Sequence, residues 1–286
     1  MDQKLLEYRI AALEYLDQTG TLEDIKRTCR TLGAQTEKKH AVFRFCIPVE
    51  PEDVLDLNAS FGNFILNKPS GACKIFQSVI FRAIQVLQLL PQCSDASQVM
   101  VVLRPLSLPR LEKYFISSTK DFPNHSEGQR LYMYEGIVTG KTIATKYTQS
   151  ARFYCPIEGC DGGQGNRYIR LHSSGAREIH TIRKDFKCSF CGSPLEEDVS
   201  ERVLADKVII EMMDEQAFQY SQYISDMVRS TRFQALTFYT RDELSQDIQI
   251  GKKYTVIGIP TYEFQENNQV NVALEASNIN VAQVHV

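Results

Sequence analysis

The sequence predicts an α+β protein in which a helical N-terminal part precedes a small β-barrel that carries a zinc-binding insert. Three observations support this prediction. Apolar residues recur at helical spacing in several stretches of the first 90 residues, short segments typical of strands follow residue 130, and two close cysteine pairs lie among those strands. At 286 residues, 43% of them hydrophobic and 23% charged, the chain has room for one large or two modest globular domains.

The first part of the chain is predicted to be mostly helical. Gly20 separates two helices, Gly33 follows the second, and Pro91 ends the longest one, because glycine and proline favour helix ends. A strand is expected where Phe43 and Phe45 lie on one face of an alternating segment. In chain order, the predicted elements are two helices within residues 1–32, a strand at 42–49, a helix at 52–57, a turn around Gly62, a helix from Pro69 to Leu90 and a strand at 98–103.

The second part of the chain is predicted to be a barrel. Several short strands with long, uneven connections are typical of a small Greek-key barrel, and the OB-fold commonly carries inserts on its connections. We therefore expect a helical domain at 1–110 and an OB-fold barrel at 111–286, with a zinc subdomain inserted at 151–200. The predicted strands are 131–138, 141–148, 167–172, 202–212, 233–240 and 253–259.

Two cysteine pairs in the insert predict one structural zinc ion per chain. Cys188 and Cys191 have the two-residue spacing that aims two sulfurs at one ion, and Gly192 supplies a permissive backbone for that turn. Cys155 and Cys160 are separated by four residues, which is looser but still within the usual range. A closed shell of four thiolates leaves no position for water or substrate, so the zinc is expected to hold the fold and to catalyse nothing.

Two alternatives to this site stay open at the level of sequence. His172 or His180 in place of Cys160 would give a site of three cysteines and one histidine, which would also be structural. The cysteines could instead be buried or redox-labile thiols, although the other four cysteines of the chain are scattered rather than paired.

The distribution of charge predicts a nucleic-acid contact. The net charge is −3, yet nine Lys and Arg against four Asp and Glu lie between residues 141 and 191, a local balance of +5. A basic island that contains aromatic residues on an acidic protein indicates an anionic partner, with solvated surface as the alternative. The candidate nucleic-acid-binding residues are the cations Lys141, Lys146, Arg152, Arg167, Arg170, Arg183, Lys184 and Lys187, with Tyr147 and Tyr168 as stacking platforms unless they are core.

Other chemistries find little support in the sequence. The segment 136–142 resembles a phosphate-binding loop, but three residues separate its glycines where four are needed, and it is predicted as two strands meeting at a turn. No Ser-His-Asp set, catalytic carboxylate pair or reactive-cysteine signature is recognisable, so this segment is expected not to be an enzyme. A secretory leader and a membrane span are not expected, and the free cysteines favour a reducing compartment.

Several segments of the chain resemble the N-terminal half of the minichromosome maintenance (MCM) helicase subunits. These segments are 134–138, the aromatic-Cys pairs, 234–244 and 250–259, and the likeness covers nearly the whole chain. The resemblance implies a helical subdomain that leads into an OB barrel with a zinc subdomain. Residues 61–69, 145–153, 182–186 and 256–260 look most similar to a divergent animal branch of the family, which implies a nuclear role in meiotic homologous recombination and double-strand-break repair rather than in replication licensing.

The sequence departs from the replicative family at three places. Phe233 and Gln234 stand where those subunits usually carry Pro-Arg, and residues 210–212 lack the usual Gln-Glu pair. The segment 260–268, where the family presents a basic hairpin to DNA in the ring channel, contains two acids and no base. This composition argues against channel DNA binding by that hairpin.

The leading hypothesis is a non-catalytic nucleic-acid-binding and assembly module with single-stranded DNA as a partner and the nucleus as its location. The alternative is a protein-interaction scaffold with little DNA affinity, which packs against other MCM-like subunits or recombination proteins. A third hypothesis makes the chain the N-terminal part of an ATP-dependent helicase, whose nucleotide site is not in this segment. No membrane partner is expected.

Overall fold

The computed structural model describes residues 2–35, 38–118, 121–124, 128–223, 234–264 and 270–282. It is an α+β protein, as predicted. The chain divides into two compact units, one formed by Met1–Arg104 with Thr148–Leu204 and the other by Pro105–Tyr147 with Ala205–Val286. The insert is therefore grouped with the helices, and the expected domain boundary between residues 110 and 111 stays a prediction.

The first unit contains most of the helices and a two-stranded sheet. Tyr8 and Phe64 pack ring to ring at 5.0 Å, and Phe61 contacts both Tyr8 and Phe76 in the apolar core between the helices. None of the described helices has the length and hydrophobicity needed to cross a bilayer. Its helices are α1 (Asp2–Gln18), α2 (Thr21–Gln35), α3 (Pro51–Leu57), α4 (Ala59–Asn67) and α5 (Pro69–Val86), and its sheet pairs β1 (Phe43–Val49) with β2 (Val99–Pro105).

The prediction of a turn around Gly62 is wrong, because Gly62 lies inside α4. A Cβ atom at this position would come within 2.7 to 2.9 Å of Leu55 in α3, so the glycine serves close packing of two helices rather than a turn. Asn58 is the N-cap residue of α4, and its side-chain oxygen accepts a hydrogen bond of 2.9 Å from the N–H of Phe61.

Two other helix ends differ from the prediction. Helix α2 continues through Gly33 instead of ending before it, since no left-handed conformation is required there. Helix α5 ends at Val86 rather than at Leu90. The chain leaves this helix through Gln88, whose φ of 51° is incompatible with a further helical turn.

The second unit contains a closed barrel, built from five strands of the described residues. Strand β4 (Tyr132–Lys141) pairs with both β7 (Glu196–Met213) and β9 (Lys253–Phe264), which closes the sheet. Strand β10 (Val270–Val281) is antiparallel to β9 and parallel to β8 (Leu236–Arg241), and β8 is antiparallel to β7. The first two barrel strands along the chain, β4 and β7, are thus separated in sequence by the cysteine-bearing insert.

Several barrel elements differ in extent from the prediction. Strand β5 (Thr145–Tyr154) begins and ends later than the strand expected at 141–148, and only Ile169–Leu171 of 167–172 form a strand, β6. Strand β10, the two-residue β3 (Phe115–Ile116) and α6 (Glu215–Tyr223) were not predicted. Residues 265–268 of the acidic hairpin, and Phe233, lie outside the described residues.

The phosphate-loop resemblance is explained by the barrel. Gly136 and Gly140 both lie within β4, and β5 follows after residues 142–144, so the segment leads into a strand instead of opening a helix. A Cβ atom on Gly136 would lie 2.6 Å from the carbonyl oxygen of Met213. The glycine therefore permits close approach of two barrel strands.

Gly258 in β9 lies where two barrel strands approach closely. A Cβ atom there would lie 2.4 Å from the backbone carbonyl oxygen of Glu275 in β10, and backbone cannot move aside as a side chain can. We expect Gly258→Ala to lower the free energy of unfolding by about 2 kcal/mol, measured by urea denaturation.

Gly140→Ala is the matched control for this barrel substitution. Its added methyl group meets only the flexible side chain of Glu211, at 3.3 Å, so its effect should be small. Equal stability of the Gly258→Ala variant and the wild type would contradict the role given to close strand approach.

Candidate metal centre and cationic surface

The structure brings the four predicted cysteines together. Their sulfur atoms all lie within 4.8 Å of one another. The sulfurs of Cys155 and Cys191 are 3.4 Å apart, and those of Cys160 and Cys188 are 3.7 Å apart. A tetrahedral zinc ion with Zn–S bonds of about 2.3 Å would place neighbouring sulfurs about 3.8 Å apart. The donor set and its spacing therefore fit a four-thiolate zinc site.

Each cysteine pair is held by a tight turn. In the second pair, the N–H of Gly192 donates to the carbonyl oxygen of Cys188 at 2.9 Å, and Gly192 has a φ of 73°, which favours glycine. In the first pair, the N–H of Cys160 donates to the carbonyl oxygen of Ile157 at 3.1 Å, with Gly159 at a φ of 75°. The looser first spacing thus still forms a turn that directs both sulfurs inward.

The closeness of the four thiols opposes the ionisation of some of them. The backbone N–H of Cys191 and the hydroxyl of Tyr168 lower the pKa of the Cys188 thiol to about 6. At Cys155 the backbone N–H of Ile157 also lowers the pKa, but burial and the three other thiols outweigh it and raise the value to about 12. A divalent cation at the centre would remove this opposition, because it stabilises every thiolate at once.

The histidine alternative receives no support from the geometry. Cys160 itself lies within the sulfur cluster, so the fourth ligand position is already supplied. His172 and His180 line a cleft elsewhere in the same unit. Among the described residues, the group gathered at this point consists of the four cysteines.

A small apolar core surrounds the cysteines. The rings of Phe153 and Phe186 meet edge to face at 5.1 Å, and Leu195 is buried beside them. A Cβ atom on Gly162 would lie 2.5 Å from the sulfur of Cys188, so only glycine leaves room for the sulfur cluster here. Sequence reasoning did not identify Gly162, because its requirement comes from a sulfur 26 positions away in the chain.

Asn166 ties the insert to the helical part of the same unit. Its side-chain amide donates to the hydroxyl of Ser94 at 2.9 Å, and its side-chain oxygen lies 2.6 Å from Nδ1 of His40. Its carbonyl oxygen accepts a hydrogen bond from Ser97. Ser70, at the start of α5, also donates to the carbonyl oxygen of Ser174 at 3.1 Å. No motif marked Asn166, since its partners are distant in sequence.

Several of the predicted nucleic-acid-binding cations already have partners within the protein. The largely buried Arg152 forms an ion pair of 2.8 Å with Asp198, and Arg183 pairs with Asp185. Two further predicted cations with partners belong to the barrel unit. Lys141 donates to the carbonyl oxygen of Ile248 at 3.1 Å, and Lys146 pairs with Asp206 at 2.7 Å.

The two predicted stacking tyrosines are buried. Tyr147 is 3% exposed, donates to the carboxylate of Asp242, and lies under the guanidinium of Arg241 at 4.4 Å. Tyr168 is 8% exposed, and its hydroxyl accepts a hydrogen bond from the N–H of Ser189 at 2.8 Å. Their burial argues against base stacking, because a base needs an accessible ring face.

The other four predicted cations lie exposed on the insert. The guanidinium of Arg170 lies 3.9 Å from the ring centroid of Phe186, and that of Arg167 lies 4.9 Å from the ring centroid of Phe190, which is 51% exposed. Lys184 and Lys187 are exposed, and neither forms an ion pair among the described residues. We call Arg167, Arg170, Lys184, Lys187 and the two phenylalanines the cationic surface.

A cleft of about 450 Å³ adjoins this surface, since Arg170 and Phe186 also line it. Lys74 of α5, His172 and His180 contribute basic or titratable nitrogens, and its other polar lining consists of Ser, Thr and Gln, without a carboxylate. Lys74 was not predicted, because it lies 67 positions before the start of the basic island in the sequence.

The fold resembles that of an MCM N-terminal domain. The structure superposes on a crystal structure of the N-terminal domain of an archaeal MCM with a TM-score of 0.67, covering 98% of this chain and 100% of that chain at 16% identity. At this identity the likeness shows the fold, which confirms the predicted helical part followed by an OB-type sheet.

Sequence comparison identifies the branch of the family. Residues 8–108 match the family described as MCMDC2, N-terminal domain. The chain is 41% identical to minichromosome maintenance domain-containing protein 2 of Homo sapiens and 40% identical to that of Mus musculus, over 274 residues in each case. These alignments cover 96% of this chain and 40% of each relative. Over nearly its whole length, the chain is thus similar to the N-terminal part of MCM domain-containing protein 2.

The cysteine centre generates a prediction about metal content. We expect the purified wild-type chain to contain about one zinc ion, and Cys188→Ser to lose it together with the folded insert, because structural metal binding and folding share one free energy. Elemental analysis and amide exchange would measure both. Cys46→Ser is the control, since Cys46 lies in β1 outside the cluster. A folded, metal-free wild type would refute this prediction.

Gly162 allows a test that leaves every ligand in place. In Gly162→Ala, the added methyl group would displace the sulfur of Cys188, and we expect zinc affinity to fall about 10-fold to 100-fold in competition with a chromogenic chelator. Gly33→Ala is the control, because its methyl group meets only Leu90, at 3.4 Å. Unchanged affinity of the Gly162→Ala variant would show that the cluster has more room than the structure indicates.

Proposed function

We propose that this chain is a non-catalytic module that binds single-stranded DNA and contributes to assembly of an MCM-like protein. The observation that carries the proposal is the pair of exposed arginines stacked on phenylalanines of the insert, Arg170 on Phe186 and Arg167 on Phe190. A guanidinium held over a ring face by a cation–π contact still has N–H groups available for contact with phosphate. The ring limits the rotamers of the arginine, so less entropy is lost when the phosphate binds.

The position of the insert supports the proposal. It connects β4 and β7, the first two strands of the barrel along the chain, and OB-folds use this connection in binding oligonucleotides. The adjoining cleft extends the cationic surface with Lys74 and His180 and places no carboxylate in the path of a phosphate chain. Lys141 and Lys146 stay predicted contacts on the barrel unit.

One structural zinc ion, held by Cys155, Cys160, Cys188 and Cys191, is part of this proposal. The ion would fix the turn that carries Lys187 and Phe190, which lie next to ligands Cys188 and Cys191 in the sequence. Zinc with four thiolates has no open position, so its role would be to hold the cationic surface in shape.

A second candidate function is a protein-interaction scaffold with little DNA affinity. It is favoured by the ion pairs of Arg152, Arg183 and Lys146, which withdraw three of the predicted cations from DNA. It is favoured also by the acidic composition of the segment 260–268. Other MCM-like subunits or recombination proteins would be its partners.

The wider role of the protein is proposed from its resemblance alone. The chain spans 40% of the length of the relatives it matches, and the matching family model and solved structure are both N-terminal domains. We propose a nuclear role in meiotic homologous recombination and double-strand-break repair. Any ATP-driven activity would belong to a part of a longer protein that this chain does not include.

The DNA-binding proposal predicts a specific loss on charge reversal. We expect Lys184→Glu/Lys187→Glu to weaken binding of a fluorescent single-stranded oligonucleotide about tenfold, because two phosphate contacts become repulsive. The slope of log affinity against log salt should become shallower by about 1.4, since each lost contact releases about 0.7 fewer counterions. Anisotropy titrations at several salt concentrations would measure both.

Arg30→Glu/Arg110→Glu is the control for these titrations. It changes the net charge equally at two exposed positions outside the insert, in α2 and before β3. Equal weakening by both double variants would mean that affinity follows net charge rather than the cationic surface. No binding by the wild type at low salt would favour the scaffold.

A further inference from the structure

The helical unit contains an apolar groove between α1 and α5. Its volume is about 500 Å³, and α2 contributes Leu22 at one side. The groove lies outside the cysteine centre and the cationic surface, so it has no part in the proposed DNA binding. Its apolar walls are formed by Ile10, Leu13, Leu22, Val79, Val86 and Leu87.

Several apolar side chains on this surface are unusually exposed, whereas Val79 is buried. Val86 is 79% exposed, Ile10 is 49% exposed and Leu13 is 45% exposed, while Leu6 on the preceding turn of α1 is 57% exposed. Single exposed aliphatic residues are ordinary, but a contiguous set along two helices marks a surface that a partner covers.

The spacing of the wall residues fits a helical occupant. Leu6, Ile10 and Leu13 recur at intervals of four and three along α1, and Val79, Ala83 and Val86 do so along α5. The two apolar rows, with the small residues Ser78 and Ala83 on one wall, form a trough of the kind that receives the apolar face of an amphipathic helix.

The charges of the groove select the partner. Arg9 and Arg82 are its two charged lining residues, and both are cationic. Arg82 donates to the side-chain oxygen of Gln85 at 3.1 Å, and Arg9 forms no ion pair among the described residues. A second copy of the same surface would bring only like charges together, whereas a helix with carboxylates beside its apolar face would meet both arginines.

We infer that the α1–α5 groove is a docking site for an acidic amphipathic helix of a partner protein. The apolar rows of the groove bury the leucine-type face of that helix. Arg9 and Arg82 pair with its flanking carboxylates and set its register. The site acts through protein contact, so it is separable from the DNA-binding surface on the insert.

Two synthetic peptides of about 18 residues would test the site on the full 286-residue chain. Both carry leucines at intervals of three and four, one with glutamates and the other with lysines beside the apolar face, and both carry a fluorescent label. We expect the acidic peptide to bind about tenfold more tightly than the basic one in anisotropy titrations. Arg9→Glu/Arg82→Glu should reverse this preference.

Val86→Asp tests the apolar walls and should weaken the acidic peptide about tenfold, without unfolding, because Val86 is already exposed. Ile143→Asp, at an 84% exposed position in the barrel unit, is the control and should bind the peptide normally. Val86→Asp should leave single-stranded DNA binding unchanged, because Val86 lies outside the cationic surface and its adjoining cleft.

Three outcomes of the peptide titrations would overturn the inference. The first is equal affinity of the two peptides, and the second is normal binding of the acidic peptide by Val86→Asp. The third is no binding of the acidic peptide at about 100 µM, a concentration at which a helix-in-groove contact is detectable. A concentration-dependent dimer in sedimentation that Val86→Asp dissociates would assign the groove to a second copy of the chain and overturn it as well.

Discussion

The requirement that four sulfur atoms share one point governs the structure of the insert. Cys155 and Cys191 are separated by 35 residues, and bringing them to 3.4 Å demands glycine at Gly162 and a left-handed turn at Gly192. The closeness of the sulfurs also opposes the ionisation of neighbouring thiols. A divalent cation would relieve this opposition by stabilising the thiolates. A short segment with a small core obtains a fixed shape in this way, because its own apolar burial is limited.

The fixed shape divides the basic residues of the insert into two groups. Arg152 supports the insert itself, since its largely buried guanidinium pairs with Asp198. Arg167 and Arg170 lie outside, stacked on phenylalanines near the second cysteine pair. A charge count over this part of the sequence treats all these residues alike. Only their partners show which cations remain available to an anion.

The sequence predicted what depends on local pattern and missed what depends on distant contacts. The cysteine ligands and helix α5 were recognisable from spacing, because close cysteine pairs are typical of metal sites and a long apolar stripe is typical of a core helix. Strand β10 was missed because it buries polar residues: Glu275 pairs with Arg241 at 3.2 Å, and Asn278 donates to the carbonyl oxygen of Pro105. Asn166 was missed for the same reason. Such residues resemble surface residues until their partners are known.

The scattered cysteines and the clustered ones differ in their response to oxidants. Burial raises the pKa of the Cys29 and Cys73 thiols to about 11 and that of the Cys93 thiol to about 12, so they remain protonated and inert to peroxide at neutral pH. In the cluster, the pKa of the Cys188 thiol is instead lowered to about 6, and its sulfur lies 3.7 Å from that of Cys160. Without a bound metal, an oxidant could therefore join Cys188 and Cys160 as a disulfide, and recovery of the insert would need a reductant before it needs zinc.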